Sequence, residues 1–287
     1  VTVVAGILVL AGAVAADLGA RVIRPSEPLP HGWTGKNRAC HQLALYALEE
    51  TDADWLLYLD ADTRIAPDFI DSMRGLAASS SAPVITGFPW IRPGRGVEPL
   101  FLAWVGWVLL ASNPFGLVSR SRMGHNRFLN GQVQMWRTST YAEVWPNEKV
   151  KDRIMEDVQM GRELARMKIP VEVGNLSRVL QVRMYDTWRE TLDGMSKNSY
   201  EITGSVAGSM GMAALFLLLA WGWLAWPPAY GLLVLSGLAV CGTARAPVWP
   251  APLLPIGLTI GAYTILRSAW WHKTGQVRWK GRTYPGN

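Results

Sequence analysis

The sequence is poor in cysteine and in charge. Its two cysteines, Cys40 and Cys241, lie far apart, one in a predicted helix and the other in an apolar run. Such a pair supports neither a disulfide framework nor a cysteine metal cluster. Charged residues make up 17% of the chain and hydrophobic residues 49%. This balance is too apolar for a wholly soluble enzyme and indicates one sizeable domain with an apolar appendage.

The basic excess lacks any signature of nucleic-acid recognition. The net charge is +6, but no zinc-binding or RNA-binding motif accompanies it, so we expect no nucleic-acid partner. Part of the excess lies in an acid-free C-terminal region that includes Arg267, Lys273, Arg278, Lys280 and Arg282. Basic residues beside apolar runs favour anionic lipid headgroups as their partner.

Three C-terminal runs lack charge, at 205–226, 229–243 and 251–266. The first is long enough to cross a membrane, and the others reach that length only with their Pro and Trp flanks. We therefore predict a multi-pass membrane protein with transmembrane helices over 204–270, a basic tail over 271–287 and the 1–203 domain on the cytoplasmic side. An alternative is that one run is re-entrant or interfacial. The runs contain almost no ionisable residue, which argues against a transporter.

The chain is organised around a short apolar run, Trp55–Leu59, that ends at Asp60 and Asp62. An unbroken apolar run predicts a strand buried on both faces, as in a parallel sheet covered by helices. Ligands of such sheets bind at the carboxyl ends of the strands, and residues two apart in extended chain point the same way. The two carboxylates therefore suit Mg²⁺ or Mn²⁺, although a polar turn at the strand end is the alternative. Asp52 and Asp54 have the same spacing but precede the strand, and we interpret them as part of a solvated turn.

A glycine-containing turn at 31–37 precedes a predicted helix that Thr34 or Asn37 could cap. The free N–H groups of the helix start, together with Lys36, predict an anion site. The spacing excludes a Walker A loop. The alternative is an ordinary capped surface turn.

The chain from 1 to 203 alternates short predicted strands and helices, which indicates an α/β sheet. Expected strands include the beginning of the chain, 21–23, 84–88, 171–173 and 179–182. The apolar run at 100–118 could be interfacial, could line the acceptor site or could be a core helix. Glu156 and Asp157 begin a predicted helix whose positive end should keep Asp157 ionised, although plain helix capping is the alternative.

Several of these stretches occur in an order known from one enzyme family. In sequence order they are Gly-Trp-Thr-Gly-Lys at 32–36, Leu-Asp-Ala-Asp-Thr at 59–63, Asn-Gly-Gln at 130–132, Glu-Asp at 156–157, Gln-Val-Arg-Met-Tyr at 181–185 and Gly-Met-Ser-Lys-Asn at 194–198. The order resembles that of the family 2 glycosyltransferases, which have the GT-A fold, a Rossmann-like nucleotide-sugar-binding domain. Within the family it resembles most the membrane-attached enzymes that glycosylate carotenoids and other lipids. The resemblance covers roughly 21–200 and the C-terminal runs.

The resemblance implies a role for each matched residue. Asp60 would contact the nucleotide, Asp62 would hold the metal with Asp60, and Asp157 would be the general base. The residues implied near the donor diphosphate are Lys36, Arg183, Tyr185 and Lys197. The residues implied to line the sugar and acceptor cleft are Gly131, Gln132 and Glu156.

The implied activity is inverting transfer of one sugar from a nucleotide sugar, with a UDP-sugar expected, to a lipid hydroxyl. The chemistry agrees, because a divalent cation would stabilise the departing diphosphate and one base would activate the acceptor. The stretch at 181–185 departs from the Gln-x-x-Arg-Trp motif of processive synthases, which favours single-sugar transfer. The family's acidic residues after the first two strands are missing, so we expect the 1–203 domain to be incomplete at its N terminus. The alternative is an inactive membrane scaffold or subunit derived from this family.

Overall fold

The computed structural model describes residues 3–7, 23, 28–94, 96–112, 129–153, 155–279 and 282–284. The strands of this part of the chain are β1 (Val3–Ile7), β2 (Trp55–Leu59), β3 (Thr63–Ile65), β4 (Val84–Phe88), β5 (Trp90–Ile91), β6 (Val133–Arg137), β7 (Val171–Asn175), β8 (Leu180–Val182), β9 (Val277–Trp279) and β10 (Arg282–Tyr284). Its α-helices are α1 (Gly35–Glu50), α2 (Phe69–Ser79), α3 (Glu98–Ser112), α4 (Thr138–Val144), α5 (Pro146–Lys149), α6 (Glu156–Arg166), α7 (Trp188–Thr203), α8 (Val206–Trp221), α9 (Pro228–Ala244) and α10 (Leu254–Lys273).

The chain forms two compact units. The first comprises Val1–Pro89 and Phe115–Val182, and the second comprises Trp90–Pro114 and Arg183–Asn287. The first unit contains the α/β sheet that the sequence predicts. The second consists mainly of apolar helices.

The sheet of the first unit has five strands in the order β1-β2-β6-β4-β7. β1 is parallel to β2 and β4 is parallel to β7, but β6 runs antiparallel to both of its neighbours. The sheet is therefore mixed, and the expectation of a parallel sheet around β2 is wrong. An apolar run looks the same in either direction, so only the pairing partner decides the orientation.

Strand β2 is buried on both faces, as its unbroken apolar run predicts. Leu56 lies in a core cluster with Trp136 of β6 and with residues of α1, α4 and α6. Leu57 and Leu59 lie in a second cluster with residues of α2. Because side chains alternate along a strand, each face of the sheet has its own layer of helices.

Several predicted elements have the expected bounds. The strand Val84–Phe88 is confirmed. The helix begun by Glu156 and Asp157 is α6. The strand expected at 21–23 and the part of the apolar run after residue 112 lie outside the described residues.

The second unit is built on α3, α7, α8, α9 and α10, around a core that includes Phe101, Trp104, Phe216 and Leu258. The described part of the 100–118 run is thus a core helix of this unit. Trp221 Nε1 of α8 donates to Thr259 Oγ1 of α10, and the Tyr200 N–H of α7 donates to Ser268 Oγ of α10.

One stretch of the described chain, Val206–Leu224, is helical, long and apolar enough to cross a membrane. The helices Glu98–Leu109 and Pro228–Ala244 are apolar but shorter. The prediction of several membrane spans over 204–270 is therefore not supported: α9, with 17 residues, is too short, and α10, with 20 residues, does not meet the combined requirement of length and apolarity.

Because α10 packs closely on α3, we predict that replacing one glycine of α10 lowers the stability of the protein. A Cβ atom at Gly261 would lie 2.3 Å from the indole of Trp104, whereas a Cβ at Gly211 of α8 would meet no atom within 4 Å. Alanine is favoured over glycine by about 1 kcal/mol in a helix, but overpacking costs about 1–3 kcal/mol. We expect Gly261→Ala to lower the melting temperature of the purified chain and the matched control Gly211→Ala to preserve or raise it. Equal effects of the two substitutions would contradict this packing.

Candidate active site

The end of β2 passes into a tight turn that carries the first predicted site residues. Both the N–H and the hydroxyl of Thr63 donate to the carbonyl of Asp60, at 3.1 and 2.7 Å. The expectation that Asp60 and Asp62 lie in extended chain is therefore wrong, because the chain turns before β3 begins. Asp62 is exposed, whereas the Asp60 side chain is 27% exposed.

The antiparallel partner of β2 brings Gly131 and Gln132 to the same end of the sheet. Leu59 opposes Val133 in the register, so the residues after β2 lie beside those that precede β6. The Asp60 N–H donates to the Gln132 carbonyl at 3.2 Å. This neighbourhood depends on the orientation of β6, which the sequence did not reveal.

Lys36, in the first turn of α1, connects three segments of the site. Its ammonium lies 2.9 Å from Asp60 Oδ1 and 2.7 Å from Glu156 Oε1, and it donates to the Gly131 carbonyl at 3.3 Å. The predicted anion-binding lysine thus contacts oxygen atoms of the protein itself.

Opposing effects act on the charges of this cluster. Burial alone would lower the pKa of Lys36, but the carboxylates of Glu156 and Asp60 raise it well above its usual value, so the ammonium stays charged. Burial raises the pKa of Asp60, and Lys36 opposes that rise. The ammonium therefore helps to keep a partly buried carboxylate ionised.

Asp157 is fixed through both of its carboxyl oxygens. Oδ2 accepts from the Gly131 N–H at 3.2 Å, and Oδ1 accepts from the Val158 N–H at 2.8 Å. A Cβ atom at Gly131 would lie 3.2 Å from Asp157 Oδ2, so glycine permits this close approach. The six predicted residues that the first unit brings together are Lys36, Asp60, Gly131, Gln132, Glu156 and Asp157.

The pKa of Asp157 differs from the sequence expectation. Burial, followed by the charge of Glu156, raises the pKa of Asp157 to about 6, although Lys36 and the two N–H donors oppose the rise. The helix start favours the ionised form, but desolvation outweighs it in setting this pKa. A carboxylate with this pKa is a stronger base than an ordinary aspartate and is still ionised at neutral pH.

Two carboxylates at the end of β2 offer ligand atoms of the type that a divalent cation prefers. Asp60 and Asp62 supply hard oxygen ligands of the kind that Mg²⁺ and Mn²⁺ prefer. In the described part of the chain, no group of three or more His, Cys, Asp or Glu side chains could hold a metal, so an ion here would also need oxygen atoms from a ligand or water. Both Asp60 oxygens lie within 3.2 Å of Lys36, which makes the exposed Asp62 the more accessible ligand.

A small pocket adjoins this cluster and contains residues that sequence reasoning missed. Its lining includes Lys36, Asp60 and Glu156 together with Cys40, Tyr58 and others. The Tyr58 ring stacks on that of Tyr141 with a centroid distance of 5.7 Å, and burial raises the pKa of Cys40 to about 12, so its thiol stays protonated. Tyr58 interrupts the apolar pattern of β2 with a hydroxyl, and that was its only signal in the sequence.

Three predicted site residues belong to the second unit. Arg183 pairs with the buried Glu98 at 3.0 Å. Tyr185 packs so closely on α7 that a Cβ atom at Gly194 would lie 2.1 Å from its hydroxyl, and Lys197 lies within α7. Their assignment to the donor diphosphate stays a prediction.

Comparison with known proteins gives only distant structural likenesses. Neither a protein-family model nor a curated protein matches this sequence. Residues 1–349 of TarS from S. aureus in complex with UDP-GlcNAc match with 13% identity and a TM-score of 0.37, over 96% of this chain and 82% of that chain. TarS 1–349 matches with 15% identity and a TM-score of 0.32, over 84% and 72% of the two chains. Its complex with UDP matches with 15% identity and a TM-score of 0.31, over 80% and 70%. Values this low establish neither a family nor an activity.

Proposed function

We propose that this chain is an inverting glycosyltransferase that moves one sugar from a nucleotide sugar to a hydroxyl of a lipid. The observation that carries the proposal is the placement of Asp157. This carboxyl, held by two backbone N–H groups, adjoins the acidic cluster at the carboxyl end of β2. A base beside a potential cation site is the arrangement that direct sugar transfer requires.

Asp157 would act as the general base. An acceptor hydroxyl placed against its carboxylate would give up its proton as the oxygen attacks the anomeric carbon. The Gly131 and Val158 N–H groups hold the carboxyl in one orientation. One base and one displacement invert the configuration at the anomeric carbon.

The leaving group would need more counter-charge than the described residues supply at this cluster. One ammonium, that of Lys36, faces the carboxyl groups of Asp60, Glu156 and Asp157, with Asp62 close enough to raise the pKa of Asp60. A nucleoside diphosphate would be repelled by this excess of acid. Mg²⁺ or Mn²⁺ bound at Asp62 and Asp60 would neutralise the diphosphate as a Lewis acid. A UDP-sugar is the donor that the family resemblance implies.

The lipid acceptor and membrane attachment are supported by the surface of the second unit. Large apolar side chains are exposed on three of its segments, and they include Leu218 (66%), Leu235 (63%) and Trp270 (62%). Many exposed large apolar side chains are typical of a membrane or ligand interface. We infer attachment through the apolar helix Val206–Leu224 and an isoprenoid alcohol, such as a carotenoid, as acceptor.

The base role of Asp157 predicts a specific pH dependence. Because the base works only when ionised and its pKa is about 6, kcat/KM should fall about tenfold per pH unit below that value. We expect Asp157→Asn to lower kcat by about 10²–10⁴ and to abolish this acid limb. The exposed Asp71, paired with Arg74 at 3.5 Å, supplies the control Asp71→Asn, which should leave the profile unchanged. Persistence of the acid limb in Asp157→Asn would assign it to another group.

The cation site predicts a different defect for Asp62→Asn. Loss of a ligand should raise the Mg²⁺ or Mn²⁺ concentration for half-maximal sugar transfer by at least about tenfold, the loss common even for outer-shell substitutions. The matched control is Asp52→Asn, at the opposite end of β2. If both variants respond to metal as the wild type does, Asp62 is not a ligand.

The lipid acceptor is tested by chain length. Each buried CH₂ group contributes about 0.8 kcal/mol, so a long isoprenoid alcohol should have a kcat/KM at least about a hundredfold above that of its shortest homologue. Radiolabelled transfer by membranes containing the chain measures both values. Equal values would show that the acceptor is not recognised through its apolar chain.

A further inference from the structure

The turn that begins α1 is bound to the segment that leads to the general base. This segment, called here the acidic segment, comprises the described residues 150–153 and 155–157. The Thr34 N–H donates to the Lys151 carbonyl at 2.7 Å. The side-chain amide of Asn37 donates to the carbonyls of Val150 at 2.7 Å, Arg153 at 3.3 Å and Lys151 at 3.4 Å. The turn thus donates hydrogen bonds to the carbonyl groups of residues 150, 151 and 153, which lie between α5 and α6.

Asn37, which binds the acidic segment, is itself held in place by buried hydrogen bonds. Its side chain is fully buried, and its carbonyl oxygen accepts from the Asn147 amide at 3.2 Å. Asn147 in turn accepts from the Tyr141 hydroxyl at 2.6 Å, and Tyr141 belongs to the core cluster on β2. A buried, fully used amide is costly to displace, so the network fixes the acidic segment to the core.

Lys36 holds the other end of the same segment. Its ammonium contacts Glu156 at 2.7 Å and the Gly131 carbonyl at 3.3 Å. The N–H of Gly131 binds Asp157. Lys36 is therefore linked to Asp157 in two ways. It pairs with Glu156, the residue before Asp157, and it binds the carbonyl of Gly131, whose N–H group binds Asp157.

We propose that the turn Thr34–Asn37 is a positioning device that holds Asp157 in its productive place through the acidic segment and Gly131. This inference rests on the proposed function, which makes Asp157 the base. Lys36 and Asn37 are positioning residues in it, and neither needs to touch the donor. The anion site expected from the sequence becomes instead a site for the protein's own carboxylate and carbonyl oxygens.

Hydrogen–deuterium exchange tests the device without any substrate. We expect Asn37→Ala and Lys36→Met to speed exchange of the acidic-segment amides by about tenfold or more, because each removes a buried partner. Lys36→Arg should restore part of the protection by retaining the charge.

Two control variants separate local opening from general damage. Lys149→Met removes a charge next to the acidic segment, but that ammonium points to Met167 Sδ at 3.5 Å, so exchange should not change. Met73→Ala creates a cavity in the core cluster against the other sheet face. It should lower overall stability and speed exchange across the first unit alike.

Steady-state kinetics supply the second readout. A misplaced base lowers kcat while donor binding is retained, so we expect Lys36→Met to lower kcat at least about tenfold with an unchanged KM for the nucleotide sugar. A raised donor KM with unchanged exchange in the acidic segment would show that Lys36 binds the diphosphate, and this would overturn the positioning role.

Failure of the function and failure of the inference give different results. If exchange rises in the acidic segment but the wild-type chain transfers no sugar, the proposed function falls and the physical coupling between turn and segment stands. If the wild type transfers sugar and neither Lys36→Met nor Asn37→Ala changes acidic-segment exchange, the positioning inference falls alone.

Discussion

The site depends on one ammonium group that three segments share. Lys36 contacts Asp60 after β2, the Gly131 carbonyl before β6 and Glu156 at the start of α6. Glu156 is buried, and a buried charge is tolerated only where it is paired. Without Lys36, the acids at this end of the sheet would repel one another. The same ammonium keeps them close enough to form one site.

The mixed sheet makes this arrangement possible. Because β6 runs antiparallel to β2, the turn before β6 lies beside the residues after β2. Gly131 then accepts Lys36 through its carbonyl and donates its N–H to Asp157. A side chain at position 131 would crowd the Asp157 carboxyl, so glycine is needed where the backbone links Lys36 to Asp157.

The second unit is held together by apolar helix packing and not by a charged cluster. Its core packs helix on helix through small residues, with Gly261 against Trp104, while large apolar side chains remain on its surface. In water such a surface is costly, and in a bilayer it is not. Val206–Leu224 is the one described stretch that is helical, long and apolar enough to cross a membrane.

The local elements could be predicted from the sequence because their signals are local. The apolar run of β2, the strand Val84–Phe88 and the start of α6 follow from hydrophobic pattern and turn residues within a few positions. The order of the motifs also marked Lys36, Asp60, Gly131, Gln132, Glu156 and Asp157 as site residues, and the first unit brings these six together. Signals that depend on distant partners were missed. Tyr58 looked like one more residue of a buried strand, and Asn37 looked only like a possible cap.

The sequence by itself determined which residues are available, where β2, β4 and the start of α6 lie and how apolar the C-terminal runs are. Only the tertiary structure decided the direction of β6, the oxygen atoms that Lys36 contacts and the pKa of Asp157 near 6. The physical reason is that strand pairing, desolvation and charge–charge contact act between residues far apart in the chain. The residue pattern of a single segment therefore cannot predict these interactions.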